Sequence, residues 1–214
     1  MPDEDLALLD RWCAGDARAG NLLFKSYFPS VYRFFARKVD GSVDDLTQET
    51  FLACVQKRES FQRQSTFRTY LFAIARHKLY DYWKQAAKRS MAVDFEQSSV
   101  ASLSTSIVSK LVRQDDRARL LEALRALPLE QQLLLELHYW EQLENDHLAE
   151  IFEVESPTIR SRLFRARHAL REHLGAAAPQ AGAEQLPDEA LDAWARALRP
   201  TMERSPERHP QGHD

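Results

Sequence analysis

Residues 145–174 read NDHLAEIFEVESPTIRSRLFRARHALREHL. A short amphipathic run over 145–152 meets a four-residue turn at 153–156, and Ser156-Pro157 opens a second helix. Serine is a good N-cap, and proline suits the first helical position because its missing N–H bonds to nothing there. Ile159, Leu163, Ala166 and Leu170 recur at i, i+4, i+7 and i+11, which makes them the side turned to a core. Arg160, Ser161, Phe164, Arg165 and His168 point away from that stripe. A short helix, a turn and an Arg-rich second helix form the pattern of a helix-turn-helix. In that motif outward residues near the N-terminus of the second helix reach base edges, while arginines hold phosphates. The competing reading is a basic amphipathic helix in an ordinary bundle.

Charge extends the argument to the rest of the chain. The net charge of −3 says little about partners until it is divided by segment. Residues 156–174 carry Arg160, Arg162, Arg165, Arg167 and Arg171 against Glu172 alone. Residues 61–89 carry Arg63, Arg68, Arg76, Lys78, Lys84, Lys88 and Arg89 against Asp81 alone. Between 141 and 155 the sign reverses, with Glu141, Glu144, Asp146, Glu150, Glu153 and Glu155 and no Lys or Arg among them. Two basic elements far apart in sequence suggest two contacts on one polyanion.

The whole sequence is helical in character. Its 214 residues are 44% hydrophobic and 29% charged, with only 6 Gly and 9 Pro, and no strand-period segment or internal repeat stands out. Leu6, Leu9, Trp12 and Cys13 fall at helical spacing, and Asp16 is placed to cap the next helix. In that helix Leu22, Leu23, Phe24, Tyr27, Phe28, Val31, Tyr32, Phe34 and Phe35 form a stripe too wide for one face, which Pro29 should kink or divide. Ser42 is placed to cap a helix running to about Lys57, and a long helix is expected from about Thr66 to Lys88. The serine-rich stretch 96–110 reads as a flexible linker. Periodicity resumes near Asp115, and Pro128 starts a further helix. The fold class expected is all-α: two small helical domains, 1–95 and 117–175, joined by a linker at 96–116. A C-terminal extension, 176–214, combines a linker composition with a short amphipathic helix that starts near Pro187 and carries Leu191, Trp194 and Leu198. The two cysteines lack metal-ligand spacing, the seven histidines lack zinc spacing, and no stretch approaches the ~18–20 apolar residues that cross a bilayer. With an acidic N-terminus in place of a secretory signal, the expectation is a cytoplasmic protein with no cofactor, no metal and no membrane insertion.

Here the motifs carry a family resemblance. PTIRSRLFRARHALREHL, at 157–174, closely resembles the second helix of region 4 in bacterial extracytoplasmic-function (ECF) RNA polymerase sigma factors, and ALRALPLEQQLLLELHYWEQL, at 123–143, resembles what precedes it. GDARAGNLLFKSYFPSVYRFFARKV at 15–39, DDLTQETFL at 44–52 and STFRTYLFAIARHKLYDYWKQ at 65–85 resemble successive parts of region 2, in the family's order. The resemblance implies an alternative sigma factor that binds core RNA polymerase, directs promoter recognition and melting, and starts transcription of a specific regulon. It implies contacts with the polymerase β′ clamp helices and β subunit, with promoter DNA, and with an anti-sigma factor.

What the resemblance implies also makes chemical sense. Asp44, Asp45, Gln48 and Glu49 give an acidic, amide-bearing helix face suited to a basic partner surface, and the resemblance assigns it to core polymerase. Paired carboxylates also occur in acid–base and metal sites, but no partner His or Lys and no Gly-rich loop accompanies these, so no catalytic residue is assigned. Arg63, Arg68, Arg76, His77, Tyr80 and Lys84 are the candidates for −10 DNA. Tyr70, Phe72, Tyr82 and Trp83 interleave with bases as suits melted strands, although some aromatics are expected in the core. For −35 DNA the candidates are Thr158, Arg160, Ser161, Phe164, Arg165, Arg167 and His168. Two positions depart from the family pattern: Glu153 stands where the turn usually has Gly, which predicts a different turn geometry, and His77 stands where Asn is common. The rival reading is a free-standing helix-turn-helix transcriptional regulator. It would bind as a dimer through a self-complementary interface, and no heptad or long apolar helix is spare to supply one.

Overall fold

A computed structural model describes residues 2–39, 41–57, 65–89 and 116–177. Among these the chain forms eight helices: α1 (Pro2–Cys13), α2 (Ala17–Ala36), α3 (Val43–Gln56), α4 (Phe67–Arg89), α5 (Asp116–Ala126), α6 (Leu129–Tyr139), α7 (Asn145–Phe152) and α8 (Ser156–Ala177). The expected linker, the 58–64 loop with Arg63, and the C-terminal amphipathic segment lie outside the described residues.

The first bundle, α1–α4, is built around α2. Asp16 caps that helix as its position predicts, accepting hydrogen bonds from the backbone N–H of Arg18 at 2.9 Å and Ala19 at 3.3 Å. The Arg11 guanidinium and these amides hold its carboxyl below the usual aspartate value. Pro29 does not divide α2; it lies on the exposed side of a helix that runs on to Ala36. A proline removes one backbone bond, and burial of Leu23, Val31, Phe34 and Phe35 on the opposite side keeps the helix whole. Gly20 permits a close approach, since a Cβ there would lie 2.5 Å from the Trp12 ring. Ser42 stands before α3, but its hydroxyl makes no cap bond; Asp44 and Asp45 instead put negative charge in the first turn. Thr66, which sequence reading did not single out as a cap, accepts from the Thr69 N–H at 3.1 Å and starts α4. In α4, Phe67, Leu71, Phe72, Ala75, Leu79 and Trp83 are buried, so Phe72 and Trp83 belong to the core and not to a stacking surface.

The second bundle, α5–α8, closes around Leu120, Leu124, Leu133, Leu137, Leu148, Ile151 and the inner stripe of α8. The helix-turn-helix turn keeps its geometry despite Glu153, which adopts the left-handed conformation at φ 56°, ψ 44° that glycine would take without strain. That corrects the expectation of an altered turn. α8 is also longer than the sequence suggested, running to Ala177.

The two bundles meet. α4 lies along α7, and the end of α2 meets α6. Lys38, just past α2, is fully buried and donates to Glu136 of α6 at 2.6 Å and to the Phe34 carbonyl at 2.8 Å.

Candidate polymerase and nucleic-acid interfaces

On α3 the burial of Leu46, Thr47, Thr50, Phe51 and Cys54 turns the other face outward. Asp44, Asp45, Gln48 and Glu49 are all exposed on it. Glu49 accepts from Lys78 of α4 at 3.0 Å in a solvent-facing pair. Leu52, at 54% exposure, and Val55, at 42%, continue the surface toward the end of the helix. The surface is thus acidic at one end and apolar at the other.

On α8, Ile159, Leu163, Ala166 and Leu170 are buried as their spacing predicts. Arg160, Ser161, Phe164, Arg165 and His168 are exposed, and Thr158 is half-buried. Phe164 is 59% exposed, and a phenylalanine held open to water on a basic helix has no role in the bundle beneath it. Arg162 bonds to Glu130 of α6, which anchors the helix from its flank. Arg167 turns inward: its Nε donates to the Tyr139 hydroxyl at 2.7 Å, and its Nη2 lies 3.2 Å from His138 Nε2. α8 therefore presents a cationic, partly aromatic ridge on a rigid support.

The candidates on α4 are in a different setting. Lys84 is exposed. Arg68 donates to Glu141 at 2.7 Å. Arg76 donates to the Ile151 carbonyl at 3.3 Å, with its guanidinium over the rings of Tyr80 (4.6 Å) and Phe152 (5.1 Å). His77 Nε2 lies 3.2 Å from the Glu153 carboxylate. Three of the candidates thus face the second bundle.

The Lys38–Glu136 pair sits where the bundles meet. Glu136 accepts from Lys38 on one oxygen and from Gln132 on the other at 2.8 Å, and Arg37 approaches to 3.9 Å. Burial raises the Glu136 carboxyl, but Lys38, Arg37 and Gln132 outweigh it and hold the group below the usual glutamate value. Burial draws the Lys38 ammonium below the usual lysine value despite the carboxylate beside it. A small cleft of about 20 Å³ opens beside the pair, lined by Arg33, Arg37, Glu136, Trp140 and Glu141. Among the described residues no cluster of three or more His, Cys, Asp or Glu is arranged to hold a metal, and no helix is long and apolar enough to cross a membrane.

Comparison with known proteins agrees with this architecture. Residues 23–89 match the family model of sigma-70 region 2, and residues 117–170 match that of sigma-70 region 4. The ECF RNA polymerase sigma-E factor of Escherichia coli strain K12 is 29% identical over 175 residues, covering 78% of this chain and 92% of the relative. That of Haemophilus influenzae is 27% identical over 179 residues, covering 79% and 95%. Among solved structures, CnrH in complex with the cytosolic domain of CnrY aligns with a TM-score of 0.57 at 20% identity, covering 81% of this chain and 98% of that one. The sigma factor RpoE in complex with the anti-sigma factor NepR from Bartonella quintana aligns at 0.53 and 23% identity, covering 69% and 91%. Both share the fold. With two region models in order on two helical bundles, and relatives matched over nearly their full length, the chain belongs to the ECF sigma factors, a family of non-enzymatic transcription initiation factors.

Proposed function

We propose that this sigma factor docks on core RNA polymerase through the exposed face of α3 and reads promoter DNA at two places. Asp44, Asp45, Gln48 and Glu49 meet a basic surface of the polymerase, the β′ clamp helices, with Leu52 and Val55 adding apolar contact. Residues 1–95 form the unit that also engages the −10 element, through Arg63, Arg68, Arg76, His77, Tyr80 and Lys84. Residues 117–175 form the −35 unit, whose outward residues Thr158, Arg160, Ser161, Phe164, Arg165 and His168 enter the major groove. Arginine reads guanine O6 and N7, and a phenylalanine edge suits a thymine methyl group. Arg167 holds the reading helix against α6 through Tyr139. The chain supplies promoter specificity and no chemistry of its own, and works in the cytoplasm beside the polymerase. An anti-sigma factor is a further partner, by analogy with the neighbour solved with NepR.

The observation that carries the reading is the open ridge of α8: four of its basic, polar and aromatic residues, Arg160, Ser161, Phe164 and Arg165, face solvent opposite a buried stripe. Transcription reconstituted from core polymerase and the purified chain tests it. Replacing Asp45 and Gln48 with Ala should weaken co-purification with core enzyme without changing helicity. Unchanged binding in a titration against core enzyme would remove α3 from the interface.

A further inference from the structure

His138, half-buried in the last turn of α6, meets both the approach to α7 and the flank of α8. Its Nδ1 lies 3.2 Å from the Leu143 carbonyl, in the loop that leads into α7, and its Nε2 lies 3.2 Å from Nη2 of Arg167 on α8. A carbonyl oxygen can only accept, so Nδ1 carries the hydrogen and Nε2 offers its lone pair to the guanidinium. These contacts define a neutral imidazole with both nitrogens in use. We propose that His138 is a positioning residue for −35 recognition: its neutral ring ties α8 to the loop that feeds α7, and protonation of Nε2 unties it. This inference rests on the assignment of α8 to −35 DNA made above.

Four features support it. First, the loop is a fixed point. Gln142 turns it with a left-handed backbone at φ 52°, and Leu143 is buried, its N–H donating to the Leu137 carbonyl at 3.1 Å. Glu144 follows at once as the N-cap position of α7, so the ring braces α8 against the segment that sets where α7 begins. Second, Arg167 is held at two points. Its Nε donates to the Tyr139 hydroxyl at 2.7 Å while Nη2 meets His138, and the two rings pack edge to face at 4.9 Å. Two donors of one planar fork, set on two side chains of α6, fix the rotation of α8 as well as its distance. Third, Arg167 has leverage over the reading residues. Arg160 lies seven residues before it, about 10 Å along the axis, so a tilt of about 10° at Arg167 moves Arg160 by nearly 2 Å. A bidentate contact with a base does not survive that shift. Fourth, protonating Nε2 turns an acceptor into a donor that faces a donor, and sets a second positive charge beside the guanidinium. Arg171, one turn further along α8, adds charge of the same sign; Tyr139 is the titratable neighbour on α6, and the loop contributes a carbonyl. The tie is therefore present above the imidazole range and lost as pH falls through it.

The test uses holoenzyme reconstituted from core polymerase and the full chain. A rhodamine-labelled promoter duplex enriched by binding-site selection, and a copy with its −35 bases scrambled, are titrated by anisotropy at constant salt from about pH 8 to about pH 5.5. The ratio of the two affinities reads specificity and cancels protonation effects that act on any phosphate backbone. The wild-type ratio should fall roughly threefold across that range. His138→Gln offers an amide oxygen to Arg167 and an N–H to the loop but does not titrate, so its ratio should hold near the upper wild-type value throughout. His138→Phe keeps an aromatic ring without either bond and should lower the ratio roughly five- to tenfold at every pH. Long-range proton–nitrogen correlation spectra of the free chain, isotope-labelled at histidine and assigned through His138→Gln, read the tautomer whether or not the Phe variant folds. A neutral ring with its hydrogen on Nδ1 is expected at about pH 7.5. A hydrogen on Nε2, a wild-type ratio that ignores pH, or full specificity in His138→Phe would each overturn the proposal and leave the assignment of α8 intact. If scrambling the −35 bases never changes affinity, in any variant at any pH, α8 loses its assignment to −35 DNA and the positioning role falls with it.

Discussion

α4 and α8 are alike in sequence, both long, basic and apolar on one side, yet they stand in opposite situations. α8 buries its stripe in its own bundle and leaves Arg160, Phe164 and Arg165 in water. α4 buries Leu71, Phe72, Ala75 and Leu79, and its Arg68, Arg76 and His77 meet the other bundle. A basic helix face is therefore available or committed according to what lies across from it. Composition alone does not separate the two cases.

The largest effect should come from breaking the anchor that brings the bundles together. Lys38→Met strands Glu136 in a buried site and should cost about 3–5 kcal/mol in urea unfolding, whereas Lys38→Met/Glu136→Leu should recover most of that loss. Acid acts on the same pair. Because Glu136 is held below its usual value in the folded chain, its contribution is present above the ordinary glutamate range of about 4 and is lost as pH falls through its lowered value. Unfolding midpoints should therefore fall on acidification, and do so less in the apolar double variant.

The contrast between the helices sharpens next. Arg160→Ala should relax base preference at one −35 position by about 1–3 kcal/mol, read by binding-site selection with the −35 duplex. Arg76→Ala should leave free-chain DNA binding nearly unchanged and weaken promoter opening in the assembled holoenzyme. A similar loss for both variants in the free chain would erase the distinction drawn between α4 and α8. A smaller effect is expected at the turn: Glu153→Gly relieves the left-handed backbone and should stabilise the second bundle by about 1 kcal/mol in thermal unfolding. The smallest belongs to Lys78→Ala, which removes a solvent-facing pair with Glu49 and should shift stability by less than about 0.5 kcal/mol.

Much of this was legible in residues 145–174. Ile159, Leu163, Ala166 and Leu170 are buried because a stripe at helical spacing has one way to leave water, and Asp16 caps because its oxygen fits two free amides. Other features were beyond local pattern. Lys38 and Glu136 lie 98 residues apart, and each resembles an ordinary solvated charge until the fold puts one against the other. Some of the interleaved aromatics of α4 were expected in the core, but which of them was settled only by packing, which buries Phe72 and Trp83. Glu153 looked like a defect in the turn because sequence registers the lost glycine but not the contact with His77. The acidic run was visible from its charge; what it opposes required the tertiary structure.

The central claim is that α8 reads promoters for a polymerase held by α3. Run-off transcription with core enzyme, on a promoter enriched by binding-site selection with the reconstituted holoenzyme, tests it most directly. The account predicts a defined start with the wild-type chain, loss of initiation with Asp45→Ala/Gln48→Ala through failed assembly, and loss with Arg160→Ala/Arg165→Ala despite normal assembly. Initiation that proceeds equally with all three proteins, or core enzyme that never retains the wild-type chain, would contradict it.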